Sequence, residues 1–388
     1  MAGMKLLVYS HFFAPSIGGV ETFSMHLARG LASENHAANG TSVTVVTQTA
    51  EGNEKDAVGG PFRVVRKPGA MHLWKLIGGA DKILLAGPAM LPLFFALIRR
   101  KPVVVTHHGY QSICPNGLLF HLPTQSSCPG HFAARRYFEC LKCNRSTEKI
   151  AGSIRSLLLT FPRRALCWLA NSNVAVSDHV ARRIALNGVE VIRNGVPLMP
   201  SSKRNAEISK AGVCFGYVGR LVTEKGVATL LDAARLLKAR KCVFRLIIVG
   251  DGPERESLQK MALDASLYPE VSFKGFQSGI GLQDLVADVT AIVVPSIWEE
   301  AAPLSALEQM MQGRLIIASD LGGLAEQIGD TGLRFEAGNS RALADLMQNI
   351  IADPGSTTKF GWRARERAMN LYSIDRMLHE YQTLLRRV

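Results

Sequence analysis

The chain has 388 residues, 47% of them hydrophobic and 20% charged, the balance of a packed globular protein with room for two ordinary domains. This composition excludes disorder and collagen-like repeats, and seven cysteines are too few for a disulfide scaffold. The net charge of +13 is uneven: residues 1–200 hold 22 Lys and Arg against 10 Asp and Glu, and the remainder 23 against 22. An anionic partner is therefore expected for the first half only, be it a membrane surface, a phosphorylated substrate or nucleic acid.

The first strand is expected at Lys5–Tyr9, with no long apolar run and small-residue cleavage site before it, so the default location is a reducing cytoplasm. Further buried strands are read at Ser42–Thr47, Lys82–Leu85, Val103–Thr106 and Asn173–Val176. Between them, Ile83–Ile98 is the longest weakly charged stretch, but it is short, carries Gly87, Pro88 and Pro92, and ends in three cations, which argues against a membrane span. The second half repeats the pattern with Val213–Val218, Phe244–Val249, Val271–Lys274, Ala291–Val294 and Leu315–Ala318. Non-alternating apolar runs separated by helix-like segments imply parallel sheets covered on both faces. The periodicity fails between Pro197 and Lys210, which reads as a linker between two halves of similar size, with a cleft between them. Ligands of such sheets bind beyond the carboxyl ends of the strands, so the chemistry is expected in those loops.

After the first strand, Gly18 and Gly19 precede a helix-like run, where backbone amides and the helix N-terminus would cradle an anion or where the pair merely makes a turn. The spacing is not that of a dinucleotide-binding GxGxxG. In the second half Arg220 and Lys225 lie in one loop after a strand that ends at Gly219, either converging on a diphosphate or standing as solvated surface cations. Asp251-Gly252-Pro253 reads as a structural turn. The segment from Pro295 to Glu308 carries Glu300 in a loop and Glu308 in the second turn of a helix starting near Pro303. The amides of Ala301, Ala302 and Leu304 would sit at that helix start, and Pro303 lacks only a hydrogen unpaired there anyway. Amide donors beside carboxylate acceptors suit sugar hydroxyls; the other reading is a carboxylate placed for the helix dipole and an exposed Glu308.

Taken together, Gly18-Gly19-Val20-Glu21, Val218-Gly219-Arg220 with Lys225-Gly226, and Glu300-x7-Glu308 resemble the retaining glycosyltransferases of family 4, of GT-B fold, also described as glycosyl transferases group 1. Thr106-His107-His108-Gly109, Val176-Ser177, Ile192-Arg193-Asn194-Gly195-Val196 and Gly322-Gly323-Leu324-Ala325-Glu326 extend the likeness over nearly the whole chain. The resemblance implies an α/β GT-B fold of two Rossmann-like doubly wound domains facing a cleft: residues 1–196 on the acceptor side with a cysteine-containing insert at about 110–145, a linker at 197–210, a nucleotide-sugar domain at 211–370, and a helix at 371–388 packing back on the first domain. It implies transfer of a hexose-type sugar, with retention, from a nucleotide-diphosphate sugar, most readily UDP- or GDP-linked, to a glycan or lipid-linked acceptor, in polysaccharide biosynthesis. On this pattern Arg220 and Lys225 neutralise the leaving diphosphate and Gly18 and Gly19 touch it from the first domain. Glu308 takes the ribose hydroxyls, Glu300 with Ala301, Ala302, Pro303 and Leu304 binds the donor sugar, and His108 rather than His107 is the active-site histidine. No cofactor is required for transfer. The alternatives are a nucleotide-sugar epimerase on the same fold and a non-catalytic anion-binding or membrane adaptor, which would not need His108, Arg220, Lys225 and Glu300 together.

The departure from the family lies between His108 and the next strand. Cys114, Cys128, Cys140 and Cys143 fall within 30 residues, a spacing that would satisfy a structural zinc, with unpaired thiols, an iron–sulfur cluster or disulfides as the other readings. Cys167, Cys214 and Cys242 sit in apolar contexts and read as buried small hydrophobes. Residues 99–183 hold 13 Lys and Arg against three Asp and Glu, among them Arg135-Arg136 and Arg163-Arg164, so either an anionic membrane surface or plain solvent faces this region, with the protein peripheral on the inner face of a membrane in the first case. No nucleic-acid-binding motif accompanies the charge.

Overall fold

A computed structural model describes residues 3–33, 40–50, 60–201 and 212–388. By their contacts they form two units: one from the stretches up to Pro123, Cys128–Pro197 and Ser373–Val388, the other from Thr124–Ser127 and Leu198–Tyr372. Of the linker expected at 197–210, residues 202–210 lie outside the described residues.

The first unit is built on seven parallel strands, β1 (Lys5–Tyr9), β2 (Ser42–Thr47), β3 (Arg63–Arg66), β4 (Lys82–Leu85), β5 (Val103–His107), β6 (Ser172–Ala175) and β7 (Val189–Val191). They are ordered β3-β2-β1-β4-β5-β6-β7. The central strands are buried on both faces, from Leu6–Tyr9 through Ile83–Leu85 to Val103–His107, because parallel pairing forces helical crossovers that cover the sheet. The helices are α1 (Gly19–Ala32), α2 (Ala70–Gly79), α3 (Met90–Ile98), α4 (Tyr137–Arg145), α5 (Ile150–Trp168) and α6 (Asp178–Ile184). The second unit has six parallel strands, β8 (Val213–Val218), β9 (Phe244–Val249), β10 (Val271–Phe273), β11 (Ala291–Val294), β12 (Leu315–Ser319) and β13 (Leu333–Phe335), ordered β10-β9-β8-β11-β12-β13. Its helices are α7 (Val227–Ala239), α8 (Arg255–Asp264), α9 (Gly279–Val286), α10 (Leu304–Met311), α11 (Gly322–Ile328), α12 (Ser340–Ala352) and α13 (Ser356–Leu371).

Both sheets share one arithmetic: the chain winds outward from the first strand to the third, then returns to the other side of the first. The reversal falls between β1 and β4 in one unit and between β8 and β11 in the other, and a crevice at the carboxyl ends of those strands follows from crossovers leaving in opposite directions. Strands β3, β7 and β13, which hydrophobic patterning did not mark, are all sheet edges of three or four residues, with too little buried surface to give an apolar run.

The last helix, α14 (Ile374–Arg387), belongs to the first unit. Its Met377, Leu378, Tyr381, Leu384 and Leu385 are buried in a cluster with Leu6, Val8, Phe23, Leu27 and Leu31. The Tyr381 hydroxyl lies 3.0 Å from Thr106 Oγ1, and Gly30 leaves room for Leu378, whose Cδ1 would stand 2.3 Å from a Cβ there. The second core lies between β8–β13 and helices α7, α8 and α12, around Phe215, Leu231, Leu246 and Met347.

Candidate functional site

In the first unit, β1 delivers the chain to Gly18, the extended residue capping α1. Ser16 Oγ donates to Glu21 Oε1 at 3.1 Å, and a Cβ on Gly18 would meet that carboxylate at 2.4 Å, whereas nothing lies within 4 Å of a Cβ on Gly19. On α1, Phe23 stacks edge-on against His108, with ring centroids 4.3 Å apart. His108 therefore stands just past the end of β5, beside the first turns of the helix that Gly18 opens. Burial, with a contribution from His107, lowers its pKa to about 3, so the imidazole is neutral at physiological pH. Its Nε2 is buried and makes no hydrogen bond among the described residues. His107, the last residue of β5, is fully buried and its Nε2 is paired with Asn173 Oδ1 at 2.9 Å, while Asn173 Nδ2 donates to the Cys167 carbonyl. The two adjacent histidines occupy different surroundings because the strand end turns one into the sheet and leaves the other beside α1.

In the second unit, a single helical turn at Thr223–Lys225 follows β8, and Gly226 stands in the left-handed region (φ 67°) before α7. Only a glycine fits: a Cβ would lie 2.0 Å from the Pro295 carbonyl oxygen. The Ile297 amide donates to the Glu224 carbonyl at 3.0 Å, so the loops after β8 and β11 are tied across the crevice of this unit. That tie sets Lys225 against Glu300. Lys225 Nζ lies 2.6 Å from Glu300 Oε1, the Ser296 hydroxyl donates to the same oxygen at 2.6 Å, and Nζ stands 5.7 Å from the Trp298 ring centroid. The pair is shielded, with Lys225 17% and Glu300 5% exposed in their side chains. The backbone of Glu300 is held as firmly. Its carbonyl accepts from the Gly323 amide at 2.6 Å, and Gly322 (φ 66°) presses against it so closely that a Cβ would be 2.8 Å from Glu300 N and O.

Helix α10 begins at Leu304 with Pro303 as its cap, Ala301 and Leu304 are buried, and Ala302 and Pro303 are half-buried. Glu308, four residues into α10, has its carboxyl pushed up to about 7 by burial alone. Arg220 stands apart: its side chain is 65% exposed, and its nearest acid is Glu224, at 3.9 Å. The loop that carries it is braced by Tyr217, whose hydroxyl donates to the Arg220 carbonyl at 2.7 Å. The Asp251-Gly252 turn is structural: Leu221 N donates to the Asp251 carbonyl at 2.9 Å, and Glu254 N to the Leu221 carbonyl at 3.0 Å.

In the first unit His108 thus stands beside the helix that Gly18 opens, and in the second the loops after β8 and β11 bring Lys225 to Glu300. Lys225 and Glu300 meet directly, while Arg220 does not join them in this state. Ser296 is not singled out by sequence pattern. Its signal, a serine two residues past a buried strand and four before Glu300, is visible in the sequence but gives no direction for its hydroxyl.

The four-cysteine zinc expectation finds no support in the structure. Among the described residues no three His, Cys, Asp or Glu side chains form a group able to hold a metal ion. Cys140 feels the thiols of Cys114, Cys128 and Cys143, and three of the four thiols have further neighbours. Cys114 Sγ donates to Asn116 Oδ1 at 2.9 Å, Cys143 Sγ approaches the Phe120 carbonyl at 3.4 Å, and Cys140 packs with Phe132 and Leu157. Burial pushes Cys114 up to about 11, and burial with the neighbouring thiols pushes Cys140 up to about 12. None of the described cysteines is in a disulfide; Cys114, Cys128, Cys140, Cys143, Cys167 and Cys214 are buried, while Cys242 is only half-buried.

Residues 17–199 match the family described as Glycosyltransferase Family 4 and residues 200–367 that described as Glycosyl transferases group 1. The chain is 32% identical over 140 residues to the alpha-D-kanosaminyltransferase of Streptomyces kanamyceticus, an alignment spanning 36% of each. It is 24% identical over 381 residues to the lipopolysaccharide core biosynthesis glycosyltransferase LpsE of Rhizobium meliloti, covering 97% of this chain and 98% of the other. Among solved structures, Anabaena Alr3699/HepE in complex with UDP and glucose superposes with a TM-score of 0.72 at 18% identity, covering 99% of this chain and 100% of that one. With two adjoining family matches that together span residues 17–367 and a fold shared end to end, the chain belongs to the family 4, group 1 glycosyltransferases of GT-B fold.

Proposed function

We propose that the chain transfers a hexose-type sugar from a nucleotide-diphosphate sugar, UDP- or GDP-linked, to a glycan or lipid-linked acceptor, with retention of anomeric configuration, in the building of a polysaccharide or lipid-borne glycan. The observation that carries this reading is the shielded contact of Lys225 with Glu300 and Ser296 at the α10 N-terminus. Without a donor, cation and carboxylate satisfy each other. With one, Lys225 and Arg220 are assigned to the diphosphate, the freed Glu300 carboxylate and the amides from Ala301 to Leu304 to the sugar hydroxyls, and Glu308 to the ribose. From the first unit the Gly18 and Gly19 amides are assigned to the phosphates and the neutral His108 to the sugar. A donor that binds a UDP-like group is supported by the likeness to the Anabaena structure.

In the reaction the bond between the anomeric carbon and the diphosphate oxygen breaks as the acceptor oxygen bonds to that carbon from the same face. The acceptor proton passes to the departing phosphate. Charge builds on the diphosphate, and cations with helix amides already in position stabilise it without reorganising.

Thermal stabilisation against UDP-, GDP-, ADP- and dTDP-sugars tests the donor, since a ligand of the folded state alone raises the melting temperature. One nucleotide should give a selective shift that Arg220→Ala diminishes. Lys225→Ala should then lower turnover with that donor by about a hundredfold or more, the scale of losing one stabilising contact to a developing charge. Unchanged turnover would overturn the diphosphate assignment. No shift with any nucleotide sugar would favour an adaptor role.

A further inference from the structure

A guanidinium is seldom enclosed in a protein unless a carboxylate neutralises it, because an unpaired charge taken out of water loses its hydration without compensation. Arg314 breaks that rule. It is only 5% exposed, burial alone lowers its pKa to about 10, and no carboxylate pairs with it among the described residues. Its Nη1 donates to Gln309 Oε1 at 2.8 Å and to Gln312 Oε1, both neutral acceptors, and its buried Nε makes no hydrogen bond among the described residues.

This cation stands at the carboxyl end of α10, just past Met311. Its side chain is not needed there to cap the helix. The amides of Gln312, Arg314 and Gly313 donate to the carbonyls of Glu308, Gln309 and Met310 at 3.1, 3.1 and 2.9 Å, and the Met311 carbonyl accepts from Arg365 Nη1 on α13. Nor is it the counterion of Glu308 on the same helix, whose carboxyl responds to burial alone. The two glutamine oxygens could be met by any donor, so hydrogen bonding by itself does not call for a charge. The charge has an electrical consequence instead. A helix carries about half a negative charge at its carboxyl end and half a positive charge at its amino end. Arg314 and Arg365 outweigh the negative end, so the positive end, at Leu304 four residues after Glu300, acts on its surroundings unopposed. Eight residues, about 12 Å of helix, separate the two ends, and a protein interior screens weakly over that span.

We infer that Arg314 is a positioning residue for the donor: enclosed at the carboxyl end of α10 and joined there by Arg365, it gives the whole helix a net positive charge, so that the amino end attracts the anionic diphosphate of a nucleotide sugar. The inference rests on the donor lying at the amino end of α10, as proposed above, and adds to that site a residue that never touches the donor.

Isothermal titration of the full chain with UDP and with GDP tests it. For the nucleotide that the wild-type chain binds, Arg314→Met is expected to weaken affinity about three- to tenfold, the scale of one unit charge about 12 to 15 Å away in a protein interior. The same variant should melt no lower than wild type, since a buried charge without an acid partner has been removed. Arg314→Lys should keep the wild-type affinity, which separates the charge from the packing of the side chain. Should Arg314→Met melt early, Arg365→Met, which removes the other cation, decides by a loss of similar size in the same titration. Unchanged affinity in Arg314→Met, or a loss in Arg314→Lys as large as in Arg314→Met, would overturn the inference and leave the donor reading standing. A wild-type chain that binds neither nucleotide would overturn both.

Discussion

One oxygen of Glu300 receives both the Lys225 ammonium and the Ser296 hydroxyl, which fixes the carboxylate and leaves its second oxygen for another donor. Glu308 sits in the same unit under the opposite condition: burial alone raises its pKa to about 7. A carboxyl whose folded pKa exceeds its unfolded value favours folding while it is protonated, an advantage present below the unfolded value and lost as pH rises through about 7. Ribose hydroxyls donate to a carboxylate and so favour the ionised form. Donor affinity is therefore expected to rise as pH increases through about 7, with Glu308→Gln flattening the dependence, as isothermal titration across that range would show. An affinity that is flat in the wild-type chain would remove Glu308 from the ribose site.

At the level of elements, two glycines let the loops of the site pack against each other. Gly226 lets the Lys225 turn run directly into α7 while passing against Pro295, and Gly322 lets α11 start against the Glu300 backbone. A left-handed conformation costs a non-glycine residue about 1–2 kcal/mol before any collision. Gly226→Ala should thus destabilise the chain by at least that much in denaturant unfolding, and weaken donor binding beyond its effect on stability, because the collision with Pro295 displaces the Lys225 turn. A variant as stable as wild type would mean that the turn relaxes freely. These glycines were visible in the sequence as turn formers, but their neighbours, 69 residues on for Gly226 and Pro295, were not.

On the scale of the whole molecule, the chain leaves its first unit at Pro197 and returns to it at Ser373. The return is sealed by a strongly amphipathic helix: α14 buries Met377, Leu378, Tyr381, Leu384 and Leu385 and exposes its charged side. Leu378→Ala removes a fully enclosed side chain beside Gly30 and should cost about 2–5 kcal/mol, seen as a lowered melting temperature of the full chain. A loss below about 1 kcal/mol would mean that α14 contributes little to the first unit's stability.

Much of this was decided by sequence. Buried parallel strands declare themselves as unbroken apolar runs, since both faces are covered, and every long one was legible, as were the glycines and charged residues in the loops that follow. Local patterning stops at contacts between residues far apart in the chain. That Lys225 and Glu300 meet, that His107 pairs with Asn173 while His108 stands against Phe23, and that Arg163 and Arg164 turn to carbonyls depended on which strands lie side by side. The cysteines make the same point: their spacing marks a group, but what surrounds each thiol, an amide side chain at Cys114, a carbonyl at Cys143 and an apolar cluster at Cys140, belongs to the packing of α4 and its loops.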